Sequence, residues 1–270
     1  MLEMARKRVT SGVDYRPLAF AGVIGLLMLL MLRSEEPANP RADRAEDSGD
    51  AAAAAALASP EAFLADAKAA KARHGYALDQ EVSVVERAPY LAIGGRPGEG
   101  LLAFRSAAGR RVTHVVNCLA ADEEPAIRRA FAGATRLLTL ALADDGDDAK
   151  LRAALPRAAE FVRAARAEDP DCLVYVHCQS GVNRAPSVAM AVLVAEERRS
   201  LVWAFARVRA ARASVRPKYV KEVAIFEEAT LGRSSAPAMR DGPDSAQFCE
   251  MYYGLKNDHS GREAGTRPGA

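Results

Sequence analysis

This sequence contains few cysteines and few histidines, and its net charge is small. Its 270 residues include four cysteines and four histidines, and 37 Lys and Arg residues nearly balance 35 Asp and Glu residues. The four cysteines show neither the spacing of metal ligands nor the density of a disulfide framework: Cys118, Cys172, Cys178 and Cys249. The formal charge of +2 gives no strong preference for nucleic acid or for acidic partners. We therefore expect no metal, no cofactor and no nucleic-acid partner.

The most informative stretch is residues 174–187, Val-Tyr-Val-His-Cys-Gln-Ser-Gly-Val-Asn-Arg-Ala-Pro-Ser. The aliphatic run before Cys178 predicts a buried strand, and the Ala-rich apolar run after Pro186 predicts a buried helix. The tight loop between them can turn its backbone N–H groups toward one point, where the helix N-terminus adds partial positive charge. Arg184 can bind two phosphate oxygens, and a cysteine beside such a site is expected to be a nucleophilic thiolate. This pattern predicts attack of the Cys178 sulfur on a bound phosphate.

The motif His177-Cys-x-x-Gly-x-x-Arg184 resembles the signature loop of the cysteine-dependent protein tyrosine phosphatases, specifically their dual-specificity branch. A Gly-Gly pair followed by the strand candidate Thr-His-Val-Val-Asn, residues 113–117, is also similar to this family. The resemblance covers about residues 81–231. It implies that Cys178 and Arg184 are catalytic, that His177 supports the loop and tunes the thiol, and that one loop holds the phosphate: Gln179, Ser180, Gly181, Val182, Asn183 and Arg184.

Strand and helix patterns alternate along this part of the chain, so we predict an α/β fold with a central, mostly parallel sheet flanked by helices. The resemblance implies the same architecture, that of the protein tyrosine phosphatases. The predicted strands are residues 81–86, 90–93, 112–119, 137–142 and 173–176. The predicted helices are residues 59–73, 101–108, 123–132, 149–167, 184–194, 201–212 and 218–231, with Pro156 either kinking its helix or marking its true start.

Thiolate attack on phosphorus also needs a proton donor for the departing oxygen. An acidic cluster follows the predicted strand 137–142 and contains Asp144, Asp145, Asp147 and Asp148. In the family that the motif resembles, the general acid lies on the corresponding loop. Alternating Leu138, Leu140 and Leu142 place Asp144 in that position, whereas counting back from the next helix favours Asp145. We prefer Asp144 and keep Asp145 as the alternative.

The N-terminal region has four basic residues before an uncharged run, residues 17–32, that is just short of the usual length of a membrane span. We interpret residues 1–33 as a basic N-terminus and a single signal-anchor helix, which gives an α/β domain with an N-terminal transmembrane helix. A cleaved targeting peptide is the second interpretation, and a buried helix is the third. The charge bias would carry the catalytic domain across the membrane, so a mitochondrial, plastid or endomembrane location stays open.

The remaining domain boundaries follow from composition. Residues 34–80 are rich in Pro, Asp and Ala and predict a disordered linker with one short helix, for which Ser59 is the N-cap and Pro60 the first residue. Residues 81–231 form the predicted dual-specificity phosphatase catalytic domain. Residues 232–270 are rich in Gly, Ser and Pro and predict a disordered tail. Arg96, Arg216 and Lys218 could extend a binding surface, but we interpret each as solvated surface charge.

One position departs from the family pattern. The residue after the signature arginine is usually Ser or Thr, but here it is Ala185, and the nearest hydroxyl belongs to Ser187. The leading hypothesis is a dual-specificity phosphatase that hydrolyses phosphorylated protein through a phosphocysteine intermediate. The alternatives are a phospholipid or phosphoglucan phosphatase with the same chemistry, because Arg-Ala-Pro also resembles plant glucan phosphatases, and a catalytically weak phosphate-binding pseudophosphatase.

Overall fold

A five-stranded sheet carries the fold. The computed structural model describes residues 48–75, 82–97, 104–130, 136–142 and 147–253. The strands are β1 (Ser83–Val84), β2 (Leu91–Gly94), β3 (Val112–Asn117), β4 (Arg136–Thr139) and β5 (Leu173–His177). The helices are α1 (Ser48–Ala56), α2 (Pro60–His74), α3 (Glu124–Ala130), α4 (Asp148–Glu168), α5 (Arg184–Glu197), α6 (Leu201–Ala211), α7 (Val220–Leu231), α8 (Pro237–Arg240) and α9 (Ser245–Tyr253).

The strand order is β1-β2-β5-β3-β4, and only β1 is antiparallel to its neighbour. The last strand along the chain, β5, therefore lies at the centre of the sheet, and all five of its residues are buried. Its final residue, His177, pairs with Gly94 on one side and with Asn117 on the other. In a parallel sheet the carboxyl ends of the strands meet at one edge, so the loop after β5 opens between those after β2 and β3. The mostly parallel sheet is confirmed.

The helix after that loop, α5, is the most deeply buried helix of the described residues. Twelve consecutive residues from Arg184 to Ala195 are buried, and the helix packs against β2, β5, α4, α6 and α7. A helix that is apolar on every side can be accommodated only where it is surrounded by other elements. The buried strand-to-helix unit expected around Cys178 is therefore confirmed, with the helix starting at Arg184.

Three local predictions differ from the structure. Residues 104–108 are not helical. The backbones of Arg105 and Arg111 form an isolated antiparallel β-bridge, and the chain turns at Gly109, whose φ of 75° is incompatible with a helix. The fourth strand stops at Thr139 rather than residue 142, because Ala141 adopts a left-handed φ of 55°. Pro156 lies within α4 and does not start it, since Asp147 caps the helix by accepting a hydrogen bond from the N–H of Lys150 at 2.9 Å.

The expectation of a disordered linker and a disordered tail is wrong for their described residues. Helices α1 and α2 lie in the predicted linker, residues 34–80, and α8 and α9 lie in the predicted tail, residues 232–270. The predicted helix after Ser59 is present, and the Ser59 hydroxyl accepts from the N–H of Ala62 at 3.1 Å. However, α2 is docked, because Phe63 is buried between Phe205 of α6 and Phe248 of α9. Apolar residues spaced along one helical face stabilise these segments by burial. Because the segments are rich in alanine and other small residues, their overall composition does not indicate this burial.

The proposed membrane helix, residues 17–32, lies outside the described residues. Across the part of the chain that the structure describes, no helix combines the length and the apolar character needed to cross a membrane.

Candidate active site

The site begins where β5 ends. Cys178 directly follows this strand and is buried, with 2% of its surface exposed. Its N–H donates to the Gly94 carbonyl at 3.4 Å, and the neighbouring carbonyl of His177 accepts from the N–H of Cys118 at 2.8 Å. Because the strands on both sides fix the backbone at this point, Cys178 has a defined position at the edge of the sheet.

The loop after Cys178 is held from outside by its carbonyl oxygens. Four consecutive carbonyls, of residues 179–182, accept hydrogen bonds from three arginines. The Gln179 carbonyl accepts from the backbone N–H of Arg96 at 3.0 Å, and the Val182 carbonyl accepts from the backbone N–H of Arg216 at 2.9 Å. Arg212 donates to the two carbonyls between them, from Nη2 to Ser180 at 3.0 Å and from Nε to Gly181 at 3.1 Å. In a trans peptide the N–H points opposite to the carbonyl, so the amides of residues 180–183 face the inside of the loop. Such a concave row of N–H groups is an anion site.

A glycine is required at one position of this loop. Gly181 has a φ of 67°, in the left-handed region, and an added Cβ would lie 2.5 Å from the Gly94 carbonyl carbon and 2.6 Å from its oxygen. Both atoms belong to the backbone of β2 and cannot move aside without disturbing the sheet. Gly94, the first residue of the Gly-Gly pair at 94–95, is therefore the support against which the loop folds.

Positive charge is concentrated at the mouth of the loop. Arg184 is the first residue of α5, and its side chain is buried with 7% of its surface exposed. The Asn183 side chain does not cap this helix, because its Oδ1 accepts from the N–H of Lys218 at 2.7 Å. The N–H groups of the first turn therefore add the positive end of the helix dipole to the guanidinium charge.

His177 supports the loop as a neutral side chain. It is fully buried, and its ring stacks on Tyr175 with 5.6 Å between centroids. Burial, reinforced by the charges of Arg96 and Arg184, lowers the pKa of His177 to about 4. The Tyr175 hydroxyl donates to the Gly95 carbonyl at 2.7 Å, so the pair connects β5 to the supporting turn.

A second cysteine lies beside the first but differs in character. Cys118 follows β3 as Cys178 follows β5, and it is fully buried. Burial raises the pKa of the Cys118 thiol well above its ordinary value, and the charge of Cys178 adds to the effect while Arg184 opposes it. Cys118 is therefore a neutral thiol. No cluster of three His, Cys, Asp or Glu side chains that could hold a metal occurs within the described ranges.

The acidic cluster divides into two described and two undescribed members. Asp147 caps α4, and the Lys150 N–H lowers the pKa of its carboxyl. Asp148 accepts from the Ser245 N–H at 3.1 Å, and burial raises the pKa of its carboxyl. The two candidate acids, Asp144 and Asp145, lie outside the described residues.

Leu142, the last described residue before the two candidate acids, contacts Arg184. The Leu142 carbonyl accepts from Arg184 Nη1 at 2.7 Å, which holds this residue against the phosphate site. Since the strand ends at Thr139, the alternation that favoured Asp144 extends beyond the strand. The choice between Asp144 and Asp145 therefore stays a prediction.

Sequence reasoning missed Arg212 and was wrong about Arg216. Arg212 is buried and binds two loop carbonyls, although the arginine-rich turn before the last catalytic-domain helix was a weak signal for such a role. Arg216 is not solvated, because its guanidinium is buried and donates to the Gly75 carbonyl at 2.9 Å. Lys218 is half-buried, and Arg96 pairs with Glu123 beside the loop.

The hydroxyl nearest to Ala185 does not replace the missing one. Ala185 is fully buried, and Ser187 Oγ donates to the Asn183 carbonyl one turn back, at 2.9 Å. That hydroxyl is therefore engaged within the helix. The expectation that Ala185 slows turnover of the intermediate stays a prediction.

Comparisons with known proteins point in one direction. Residues 102–229 match the family model described as "Dual specificity phosphatase, catalytic domain", a range that includes Cys178 and Arg184. The mouse protein "Dual specificity protein phosphatase 19" is 26% identical over 180 residues, which cover 66% of this chain and 73% of the mouse protein. The crystal structure of human DUSP28 is 25% identical with a TM-score of 0.47, and the match covers 55% of this chain and 93% of the DUSP28 chain. The crystal structure of PTPMT1 is 16% identical with a TM-score of 0.46, and the match covers 57% of this chain and 98% of the PTPMT1 chain.

Proposed function

We propose that this chain is a cysteine-dependent phosphatase of the atypical dual-specificity kind and that it removes phosphoryl groups from phosphorylated protein side chains. Cys178 Sγ attacks the phosphorus while an aspartic acid, Asp144 or Asp145, protonates the leaving oxygen. The P–O bond to the leaving group breaks as the S–P bond forms. The same aspartate then takes a proton from water, which attacks the phosphocysteine, breaks the S–P bond and releases inorganic phosphate.

The observation that carries this proposal is the outward hydrogen bonding of four consecutive loop carbonyls. It supports a loop whose amides are fixed before the substrate binds, so that no reorganisation is needed as charge develops on the equatorial phosphate oxygens. Arg184 lies at the same mouth and also holds Leu142, next to the acid loop. One guanidinium thus supports both the phosphate site and the approach of the general acid.

The test is phosphate release by the full chain in the presence of reductant. A small aryl phosphate, a phosphotyrosine peptide and a phosphothreonine peptide are compared for the wild type, Cys178→Ser, Asp144→Ala and Asp145→Ala. We expect no release from Cys178→Ser and a loss of about 100- to 10,000-fold in one of the two aspartate variants. Equal release from wild type and Cys178→Ser would contradict the cysteine mechanism, whereas peptide binding without any release would support the pseudophosphatase alternative.

A phospholipid substrate is the second candidate, and the uncharged run of residues 17–32 favours it because an anchor would hold the domain close to head groups. Phosphoinositide vesicles and a phosphoglucan are therefore added to the substrate set. A higher kcat/KM for vesicles than for either peptide would favour the lipid function.

The anchor itself is part of the proposal, as a single-pass helix in a mitochondrial, plastid or endomembrane compartment. Full-length chain should stay with membranes after alkaline carbonate washing, and a chain lacking residues 1–33 should be released. Protease protection of the catalytic domain in intact vesicles would then report the side on which it lies. Release of the full-length chain by carbonate would contradict the anchor.

A further inference from the structure

A solvent-open pocket of about 90 Å³ lies beside the phosphate loop. One wall is the loop itself, the floor is the turn before α7, and the opposite wall is α9. The lining residues are, in that order, Ser180, Val182 and Asn183; Arg216 and Lys218; and Phe248, Cys249, Tyr252 and Tyr253. Because three residues of the phosphate loop line it, anything bound in this pocket lies against that loop.

The aromatic wall is a feature of this chain and not of the matched catalytic domain. The family match ends at residue 229, whereas α9 spans Ser245–Tyr253. The helix has its own capping box, since the Gln247 N–H donates to Asp244 Oδ1 at 2.8 Å and the Asp244 N–H donates to Gln247 Oε1 at 3.0 Å. The start of α9 is therefore defined locally, by its own sequence.

Tertiary contacts fix this helix against the domain at three points. The Ser245 N–H donates to Asp148 of α4, the Phe248 ring lies 5.3 Å from the ring of Phe63, and Lys71 Nζ lies 5.4 Å from the ring centroid of Tyr252. An aromatic wall held at both ends is a preorganised surface, which is what a binding site needs to avoid an ordering cost on association.

The lining favours a particular chemistry. Val182 and three aromatic rings supply apolar surface, and Tyr253 at the end of the helix is 43% exposed. An apolar or aromatic side chain would bury part of its surface here and pack against the rings. When the loop holds the phosphate of a polypeptide substrate, the part of that substrate that can reach the adjoining pocket is a flanking side chain.

We propose that α9 is a substrate-recognition element of the enzyme, and that its pocket binds an aromatic or long aliphatic side chain flanking the phosphorylated residue of a polypeptide substrate. The proposal rests on the proposed function and names the class of substrate for that site. Tyr253 is a specificity-determining residue in this account, since it is the most exposed aromatic residue of the wall.

The experiment compares matched phosphopeptides on the full chain. Each pair carries the same sequence with Phe or Ala at one position within two residues of the phosphorylated one, and kcat/KM is measured for wild type, Tyr253→Ala and Met251→Ala. Met251 is a matched control, because it lies on the same helix with 36% exposure and does not line the pocket. The preference is the ratio of the two kcat/KM values within one variant, so overall changes in activity cancel.

We expect the wild type and Met251→Ala to prefer one Phe peptide by about tenfold or more, mainly through KM. Tyr253→Ala should reduce that preference to about threefold or less. Hydrolysis of the small aryl phosphate by the wild type is measured in parallel, because its absence would mean that the proposed function has failed and not merely the recognition element.

Three results would overturn the inference. The first is a wild type that hydrolyses the aryl phosphate but shows no preference at any flanking position. The second is an equal loss of preference in Tyr253→Ala and Met251→Ala. The third is a preference that emerges only after residues 254–270 are deleted, since the pocket would then serve the chain's own C-terminus. A preference abolished by Tyr253→Ala alone would support it.

Discussion

The catalytic domain and the segments that flank it are built on different principles. Around the phosphate loop, the carbonyls are held outward by the Arg212 side chain and by the backbone N–H groups of Arg96 and Arg216, so that the loop amides face inward. In the flanking segments, α1–α2 and α8–α9, side chains contact one another: Phe63 lies between two other phenylalanine rings, and Arg207 and Arg209 of α6 pair with Asp50 and Asp66. One region is organised toward a substrate and the other toward the domain.

This difference predicts that substitutions in the two regions have different effects on catalysis and on stability. Changes around the loop should alter chemistry on every substrate, because they move the groups that bind the phosphoryl oxygens. Changes in the flanks should alter stability, and at the pocket the choice of substrate, but not hydrolysis of a small aryl phosphate. Four experiments test this separation.

The largest effect is expected for Gly181→Ala. The new Cβ would collide with the Gly94 backbone, and the positive φ adds strain, so the free energy of unfolding should fall by more than about 4 kcal/mol and phosphate release should be lost. Chemical denaturation and aryl phosphate hydrolysis measure both. Ser180→Ala, the adjacent change without these constraints, is the control for stability. A stable, active Gly181→Ala protein would contradict the packing of the loop on β2.

In the flank, Phe63→Ala should remove about 3–5 kcal/mol of stability, since it deletes a buried ring from between two others. Under conditions where the protein stays folded, kcat for the aryl phosphate should remain within about threefold. Denaturant unfolding and steady-state kinetics give the two values, with Phe63→Leu as the milder comparison. A parallel loss of kcat in the folded protein would mean that the flanks share in the chemistry.

The third experiment tests His177 through pH. Its folded pKa of about 4 lies below the ordinary value of 6.5, so between these values the unfolded chain binds a proton that the folded protein does not. Stability from this residue is therefore complete above pH 6.5 and is lost as the pH falls toward 4, by about 3 kcal/mol in total.

The measurement is the difference in unfolding free energy between wild type and His177→Gln across pH 4–7. Glutamine keeps hydrogen-bonding groups but does not titrate in this range. The difference should shrink on acidification, because only the wild type carries the cost of excluding the proton. Parallel curves for the two proteins would show that His177 is accessible to protonation when folded.

The smallest of the four effects is expected for Arg212→Ala, a loss of about 10- to 100-fold in kcat/KM through loosening of the loop. Arg209→Ala is the matched control, since Arg209 lies in the last turn of α6, just before Arg212, but pairs with Asp66 of α2. Aryl phosphate kinetics should fall only for Arg212→Ala, and thermal unfolding should change for both. Equal kinetic losses would show that the two arginines act through the stability of α6 rather than through the loop.

Several features were predictable because they depend on short stretches of chain. The strand before Cys178, the helix after it and the Ser59 cap all follow from residues within one or two turns of each other, and all are present. The helix expected at residues 101–108 was wrong for residues 104–108, where Gly109 and the Arg105–Arg111 bridge impose a turn. Helix propensity is overridden there by a tight turn whose hydrogen bonds lie within the same seven residues.

The sequence by itself was sufficient to predict the nucleophile and the phosphate-binding arginine. Cys178, Arg184 and the glycine between them lie within seven residues, and strand and helix patterns on either side force that segment into one tight loop. No distant residue is needed to recognise that such a loop can hold a phosphate, which is why the chemistry could be inferred before any fold was known.

Only the tertiary structure decided what holds that loop and what lies beside it. Arg212 reaches carbonyls 31 and 32 residues away, Tyr175 reaches the Gly95 carbonyl 80 residues away, and α9 supplies the aromatic wall from beyond the catalytic domain. These contacts depend on how strands and helices pack, and sequence spacing carries no record of such distances. The residues that contact the loop are therefore determined by the tertiary fold and cannot be identified from the motif.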